Sequence, residues 1–110
     1  MQLEITANAL EKMEQMNSSD YEYLMLYYDT DDCGCGVNGV PTIRLTNKKE
    51  DSFIDVDSDD FQVIIHHQQA VFFAKQMKLD LIGGRFRLSS PEGILNPIIP
   101  ANDLVKGDVA

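Results

Sequence analysis

Residues 79–88 read Leu-Asp-Leu-Ile-Gly-Gly-Arg-Phe-Arg-Leu. Apolar and polar residues largely alternate on both sides of the glycine pair, and a period of two is the pattern of a half-buried β-strand. Two glycines between such runs are typical of a two-residue hairpin, because the primed turn types need positive φ. The stretch therefore predicts a β-hairpin that turns at Gly83-Gly84.

Short apolar or alternating runs upstream of this hairpin predict further strands. Residues 21–28 are apolar on both faces, as expected for a central strand that is covered on both sides. Its neighbours in the sequence alternate more regularly, as half-exposed strands do. The predicted strands upstream of the hairpin lie at residues 3–5, 21–28, 43–46, 53–56 and 61–65.

Two helices are predicted between the strands. In the first, apolar residues recur at helical spacing from Ala9 to Met16, after Thr6 or Asn8 as the N-cap. The second is expected over residues 68–77. Four apolar residues lie there near helical spacing: Ala70, Val71, Phe73 and Met77.

The last part of the chain is predicted to be irregular. Periodicity is lost after Ser89, and Pro91, Pro97 and Pro100 oppose regular structure. We therefore expect an irregular tail over about residues 97–110. The fold class predicted is a β-rich α+β domain of about six or seven short strands with two helices, in one domain over residues 1–110.

Composition limits the classes of partner. Eighteen acidic and nine basic side chains give a formal net charge of −9. Nucleic acids and anionic membrane surfaces attract basic proteins, so we expect neither as a partner. Residues 1–5 contain no basic region or long apolar run, and no stretch is long enough to span a membrane. A cytoplasmic location is the expectation.

The chemically distinctive stretch is Cys33-Gly34-Cys35, in a connection rich in aspartate and glycine. A disulfide across one glycine would close a strained ring, so the pair does not indicate a secreted scaffold. Thiolates are soft ligands for iron–sulfur clusters, zinc or copper(I), and the glycines allow close approach of the backbone. Because a closed site normally needs four ligands, a second chain, a small thiol, or oxygen and nitrogen ligands would complete it. Two small residues in a tight turn are the alternative.

Other chemistry is less well supported. Asp29, Asp31 and Asp32 precede the cysteines, and negative charge raises the pKa of a thiol, which disfavours an activated nucleophile. His66-His67 lacks ligand spacing, and neighbours in a strand point to opposite faces, so at most one would face a given site and we expect the pair at the surface or at a strand end. The aspartate-rich stretches lack the glycine and glutamate of a calcium loop. With no P-loop, dinucleotide fingerprint, G-x-S-x-G or H-E-x-x-H motif, we expect no catalytic residues and no enzyme.

Several stretches together resemble the HesB-like, A-type iron–sulfur carrier domains. They are Ile-Thr-Ala-Asn-Ala at residues 5–9, a strand that runs into a Cys-Gly loop, and Gly-Gly-Arg-Phe at residues 83–86, followed by Ser90-Pro91. The phrase from Tyr28 to Cys35, with Gly-Val-Pro at residues 39–41, is closer to a divergent Gram-positive branch. The resemblance covers roughly residues 3–96.

The resemblance implies a compact, mostly β fold, oligomerisation, and binding of iron or an iron–sulfur cluster for assembly or for delivery to apo iron–sulfur proteins. The family's ligands are one cysteine in the first loop, which Cys33 or Cys35 matches, and a C-terminal Cys-Gly-Cys. This chain has no thiol after Pro91. We therefore expect Cys33 and Cys35 to be the cofactor and metal ligands, across a homodimer. A metal-free protein-interaction adaptor and a thiol redox protein remain as alternatives.

Overall fold

The structure is a computed structural model that describes residues 1–17, 20–29 and 39–105. Within these residues the chain forms eight strands, one α-helix and two short 3₁₀ helices. The elements in chain order are β1 (Gln2–Ile5), α1 (Ala7–Met16), β2 (Tyr23–Asp29), β3 (Val40–Thr46), β4 (Phe53–Val56), β5 (Gln62–His66), the 3₁₀ helix Ala70–Phe72, β6 (Gln76–Ile82), β7 (Arg85–Ser90), β8 (Gly93–Ile99) and the 3₁₀ helix Ala101–Val105. The strand-rich α+β class is confirmed.

The strands form two four-stranded sheets. The first sheet has the order β1-β6-β7-β8, with β1 parallel to β6 and antiparallel pairing elsewhere. The second sheet has the order β3-β2-β5-β4, in which β2 pairs antiparallel with β3 and parallel with β5. A parallel bridge between Gln2 and Asp57 links the sheets. The predicted central strand is thus β2, flanked on both sides.

The hairpin predicted at Gly83-Gly84 is confirmed. Leu79 pairs with Leu88 and Ile82 pairs with Arg85, so the two glycines form the whole turn. Both have positive φ, 60° at Gly83 and 80° at Gly84, which a residue with a Cβ adopts only with strain. The hairpin forms the middle of the first sheet.

One set of buried apolar side chains lies between the sheets and helix α1. Every second residue of the strands of the first sheet points inward, and the inner residues of the second sheet face them. Residues of this core with no exposed surface are Ala9, Met13, Leu24, Leu26, Ile43, Leu45, Ile65, Leu79, Phe86, Leu88 and Leu104. Burial of this apolar surface is the main favourable contribution to the free energy of folding.

Two sequence predictions are corrected by the structure. The helix expected over residues 68–77 is reduced to the 3₁₀ helix Ala70–Phe72, because from Gln76 the chain pairs with β1 and β7 and buries Met77 in the core. Val71, one of the apolar residues within residues 68–77, is 77% exposed. Strand pairing outweighs the helical spacing of a few apolar residues.

The prediction of an irregular tail is also wrong, over residues 97–105. Strand β8 raises the number of described strands to eight, above the expected six or seven. Pro97 is tolerated because β8 is an edge strand and two of its residues lie opposite Arg87, which forms a β-bulge. After Pro100 the chain forms the 3₁₀ helix, which buries Leu104 completely. Residues 106–110 lie outside the described part of the chain.

Helix α1 begins at a cap shared with the first sheet. Its N-cap is Thr6 rather than Asn8: the Thr6 hydroxyl accepts a hydrogen bond from the Ala9 amide (3.3 Å) and donates one to Asp80 Oδ1 (3.0 Å). The backbone N–H of Leu81 donates to the same carboxylate oxygen (2.8 Å). These two hydrogen bonds, with Leu81 the larger cause, hold the pKa of Asp80 below its ordinary value.

We expect Thr6→Ala to lower the free energy of unfolding by about 1 kcal/mol at neutral pH, since both hydrogen bonds of the hydroxyl are lost. Because the folded-state pKa of Asp80 is lowered, its contribution is present above the unfolded-state pKa and is lost as pH falls through the folded-state pKa. The difference between wild type and Thr6→Ala should therefore narrow in acid, as urea denaturation at several pH values would measure. Thr6→Ser keeps the hydroxyl and is the control; an equally large loss in Thr6→Ser would contradict this account.

Candidate functional site

The predicted ligands Cys33 and Cys35 lie in the connection between β2 and β3, outside the described residues. The residues on either side are described. Asp29, the last residue of β2, is paired with Val40, the first residue of β3, and Tyr28 is paired with Pro41. The chain therefore leaves the second sheet at the end of β2 and re-enters it at the adjacent start of β3.

Tyr28 joins the two ends of this connection. Its hydroxyl accepts a hydrogen bond from the Gly39 amide (3.0 Å), and its own backbone amide donates to Gln69 Oε1 (3.1 Å). Its ring stacks on Phe72 at a centroid distance of 3.9 Å and an interplanar angle of 9°. The turn that contains Gln69 and Phe72 therefore fixes Tyr28, and Tyr28 fixes Gly39.

Gly39 has no room for a side chain. A Cβ at this position would lie 2.5 Å from Cε2 of Tyr28 and 2.7 Å from the carbonyl oxygen of Asp29. Both distances are shorter than real Cβ contacts, and the second is to backbone. The glycine is thus required by close packing at the point where the chain re-enters the sheet.

The histidine pair lies in the second sheet too, at the end of β5. Because β5 runs parallel to β2, with Leu26 opposite Ile65, the carboxyl ends of the two strands lie at the same end of the sheet. The rings of His66 and His67 are stacked, 4.9 Å apart, and His66 Nδ1 accepts a hydrogen bond from the Gln68 amide (3.1 Å). The pair lies at the end of a strand, and the alternation of side chains does not apply to it because only His66 belongs to β5.

The nearest cation to the cysteines in sequence, Arg44, interacts with a tyrosine. Its Nη2 donates a hydrogen bond to the Tyr27 hydroxyl (2.9 Å), and its guanidinium carbon lies 5.1 Å from the centroid of that ring. Burial raises the pKa of Tyr27, and the Arg44 charge opposes that rise. Tyr27 is therefore the neutral partner of a cation in the middle of β2.

The remaining polar residues give no metal site in the described part of the chain. No group of three or more histidine, cysteine, aspartate or glutamate side chains is close enough to hold an ion there. The acidic stretch of residues 50–60 contains the edge strand β4 and the turns beside it, and Asp55 pairs with Lys49 at 2.7 Å. Within the same residues no helix is long and apolar enough to cross a membrane.

Sequence reasoning did not find Gln69 and Phe72. Their position depends on the parallel pairing of β2 with β5, which joins residues about forty positions apart and leaves no local signal. Tyr28 and Gly39 stand next to the cysteine segment, and the sequence indicates them only as part of a motif. Their contact follows from the pairing of Asp29 with Val40.

The same arrangement of strands occurs in proteins of iron–sulfur cluster biosynthesis. The crystal structure of a candidate Fe–S biosynthesis protein from Lactobacillus acidophilus has a TM-score of 0.72 and 20% identity, covering 91% of this chain and 87% of that one. The crystal structure of IscA with the [2Fe-2S] cluster has a TM-score of 0.62 and 16% identity, covering 88% of this chain and 98% of that one. At these identities the likeness defines the fold.

The sequence defines the family. Residues 1–103 match the family described as iron-sulphur cluster biosynthesis, and the chain belongs to that family. The uncharacterised protein YqkB of Bacillus subtilis strain 168 is 30% identical over 100 residues, which are 88% of this chain and 94% of that protein. The HesB-like resemblance is confirmed, and the membership supports a role in iron–sulfur cluster assembly.

Proposed function

We propose that this chain is a non-enzymatic, cytoplasmic iron–sulfur cluster assembly protein. Cys33 and Cys35 hold iron or an iron–sulfur cluster, which is passed to apo iron–sulfur proteins or exchanged with other assembly proteins. The observation that carries the proposal is the family match over residues 1–103, in a chain whose two thiols both lie between β2 and β3. Thiolates are the ligands that iron–sulfur clusters prefer.

The C-terminal strand supports the choice of these two cysteines. The family has a C-terminal Cys-Gly-Cys, and this chain has no thiol after Pro91. The buried Asn96 of β8 donates a hydrogen bond to the carbonyl oxygen of Pro41 (2.8 Å), two residues after Gly39. The C-terminal strand and the end of the cysteine segment are thus neighbours, and the segment contains both thiols of the chain.

Two thiolates in one chain do not close a cluster site, because a [2Fe–2S] or [4Fe–4S] cluster normally has four cysteine ligands. A homodimer would supply four sulfurs by symmetry. A small thiol would serve the same purpose in a monomer. The remaining ligands of the cluster, from a second copy or a small thiol, can therefore be exchanged, which suits a protein that transfers its cluster to another protein.

Replacement of both cysteines tests the proposal. Wild-type protein reconstituted anaerobically with ferrous iron and sulfide is expected to become brown, with visible absorbance and bound iron and sulfide. The variant Cys33→Ser, Cys35→Ser is expected to remain colourless, because serine hydroxyls are hard, weakly acidic ligands. Thiolate-to-iron charge transfer bands and the iron content of gel-filtered protein are the measurements.

Thr30→Ala, in the same segment but without loss of a sulfur, is the matched control and should bind iron like wild type. Thermal unfolding of all three proteins shows whether the fold is retained. A colourless wild type from this reconstitution, with the fold intact, would contradict the proposal.

A metal-free adaptor on the same scaffold is the second candidate, and the absence of any thiol after Pro91 favours it. An adaptor would bind cluster assembly proteins through its surface. Its partner binding would be identical in wild type and in the double cysteine variant, and iron would leave it unchanged. A pull-down with both proteins, with and without iron, separates the candidates.

A further inference from the structure

The two cysteines stand at equal distances in sequence from the two ends of the connection that carries them. Cys33 is four residues after Asp29, and Cys35 is four residues before Gly39. Four residues of fully extended chain span about 14 Å at most. The positions of Asp29 and Gly39 therefore limit equally where each of the two sulfur atoms can lie.

The hydroxyl of Tyr28 holds the Gly39 end. The Gly39 amide donates a hydrogen bond to it (3.0 Å), one residue outside the ladder that ends with the pair Asp29–Val40. A Cβ on Gly39 would lie 2.7 Å from the Asp29 carbonyl oxygen, so the two ends of the connection run directly against each other. The tyrosine thus extends the fixed part of the chain beyond the last strand pair.

Tyr28 is itself fixed by the turn that follows β5. Its ring stacks on the ring of Phe72 at 3.9 Å and 9°, and its backbone amide donates to Gln69 Oε1 (3.1 Å). A stacked ring has little freedom to swing about its Cα–Cβ bond, so the hydroxyl stays at one point. The anchor of Gly39 is therefore a rigid one.

A contact from the first sheet holds the same end from the other direction. Asn96 of β8 is buried, and its Nδ2 donates to the carbonyl oxygen of Pro41 (2.8 Å). Its Oδ1 accepts the Ile98 amide (3.2 Å), which fixes the orientation of the side chain. The start of β3 is thus tied to both sheets, by Asn96 at residue 41 and by Tyr28 at residue 39.

The hydroxyl of Tyr28 contributes little to the construction of the sheet. Seven residue pairs, from Tyr23–Thr46 to Asp29–Val40, already set the register of β2 against β3. A phenylalanine at position 28 would keep the stack on Phe72. What the hydroxyl adds is the fixed position of Gly39, and fixing a segment before it binds a ligand lowers the ordering cost of binding.

We propose that Tyr28 is a positioning residue for the thiols of Cys33 and Cys35, acting through Gly39 and held by Phe72. The proposal rests on the proposed function, because it requires these cysteines to bind iron. With both ends of the connection fixed in the metal-free protein, fewer backbone angles have to be ordered when two sulfur atoms take up one ion. Iron affinity should therefore depend on a hydroxyl that does not itself bind the metal.

The variant Tyr28→Phe tests the proposal with two readouts. In metal-free protein, the Gly39 amide loses its acceptor, and its hydrogen exchange, followed by NMR, is expected to become about tenfold faster or more. Under anaerobic conditions, competition with a chromogenic chelator measures the affinity for ferrous iron. We expect the affinity to fall about tenfold, since the backbone at Gly39 must then be ordered by metal binding.

Tyr23→Phe is the matched control, because it removes the same hydroxyl from the other end of β2. The Tyr23 ring lies 6.0 Å from Lys49 Nζ and is paired with Thr46, far along the strand from Gly39. Both readouts should stay as in wild type. Phe72→Leu is the second variant and should also weaken iron binding, whereas Phe72→Tyr keeps a stacked ring and should restore it. Thermal unfolding shows whether each variant is folded.

The outcomes separate this proposal from the proposed function. Wild type that binds no iron would overturn both, since there would be no ion for the thiols to hold. Wild type that binds iron, with the same affinity in Tyr28→Phe, would overturn the positioning role alone. A weaker affinity with unchanged exchange at Gly39 would also overturn it, because the effect would then not pass through Gly39. If Tyr28→Phe does not fold, Phe72→Leu decides, and unchanged affinity in that variant counts against the proposal.

Discussion

Phe86→Ala is expected to lower the free energy of unfolding by about 3–5 kcal/mol. The Phe86 side chain has no exposed surface and is the largest fully buried one in the described part of the chain. It lies between Leu81 on β6 and Ile99 on β8, to which it is paired, so it joins three strands of the first sheet. Its removal loses the free energy gained by transferring the ring from water to the core. It also leaves a cavity, which the surrounding strands cannot readily close because their backbones are paired.

Urea denaturation measures this loss, and Phe72→Ala is the matched control. Phe72 is the same residue type, but it is 46% exposed and its ring contact is the stack on Tyr28. Stacked aromatic pairs contribute about 0.5–1.5 kcal/mol beyond burial, so the control should lose considerably less than Phe86→Ala. Equal losses would mean that the interior of the first sheet adapts to a lost ring, which the close pairing on both sides of Phe86 opposes.

The elements that the sequence predicted well are those that depend on neighbouring residues. The turn at Gly83-Gly84 needs two positive φ angles, and glycine supplies them without any distant contact. The apolar run of β2 and the start of helix α1 after Thr6 are equally local, whereas the choice between Thr6 and Asn8 as the cap was left open by the sequence. For such elements the order of residue types already contains most of the physical cause.

The elements that the sequence did not predict depend on partners far along the chain. Residues 70–77 have apolar residues near helical spacing, but Met77 is buried only when β6 pairs with β1 and β7. Pro97 opposes a strand in general, and it fits in β8 because that strand is at the edge and bulged. In both places the pairing of strands distant in sequence outweighs the local preference of the residues.

The candidate site divides in the same way. Cys33 and Cys35 stand out in the sequence because two soft ligands between glycines are typical of a metal loop, and the reconstitution with iron and sulfide tests whether they bind metal. The contacts of the two flanking ends could not be read from the sequence, since Gln69 reaches Tyr28 only through the parallel pairing of β2 and β5. The histidines came together because His67 lies just past the end of β5.

Gly39→Ala is expected to destabilise the fold by about 1–3 kcal/mol, the usual range for an added group that has no space. The new Cβ would lie 2.5 Å from Cε2 of Tyr28 and 2.7 Å from the carbonyl oxygen of Asp29. The ring is fixed by its stack on Phe72, so either that stack or the end of β2 must move. Urea denaturation gives the loss.

A double-mutant cycle separates the two collisions. In Tyr28→Ala protein the ring is absent, so Gly39→Ala should be less damaging there, while the collision with the Asp29 backbone remains. The difference between the two losses measures the coupling between residues 28 and 39. Tyr28→Phe is a second comparison, because it keeps the ring and removes only the hydroxyl that accepts the Gly39 amide.

If Gly39→Ala were as damaging without the ring as with it, the backbone of Asp29 alone would account for the requirement for glycine. If it were harmless in wild type, the two ends of the cysteine segment would not be held as closely as the pairing of Asp29 with Val40 indicates. A coupling of the expected sign means that Tyr28 sets the separation at which the chain enters and leaves that segment. The segment's ends are then fixed by the sheet and the turn at Phe72 before any metal binds.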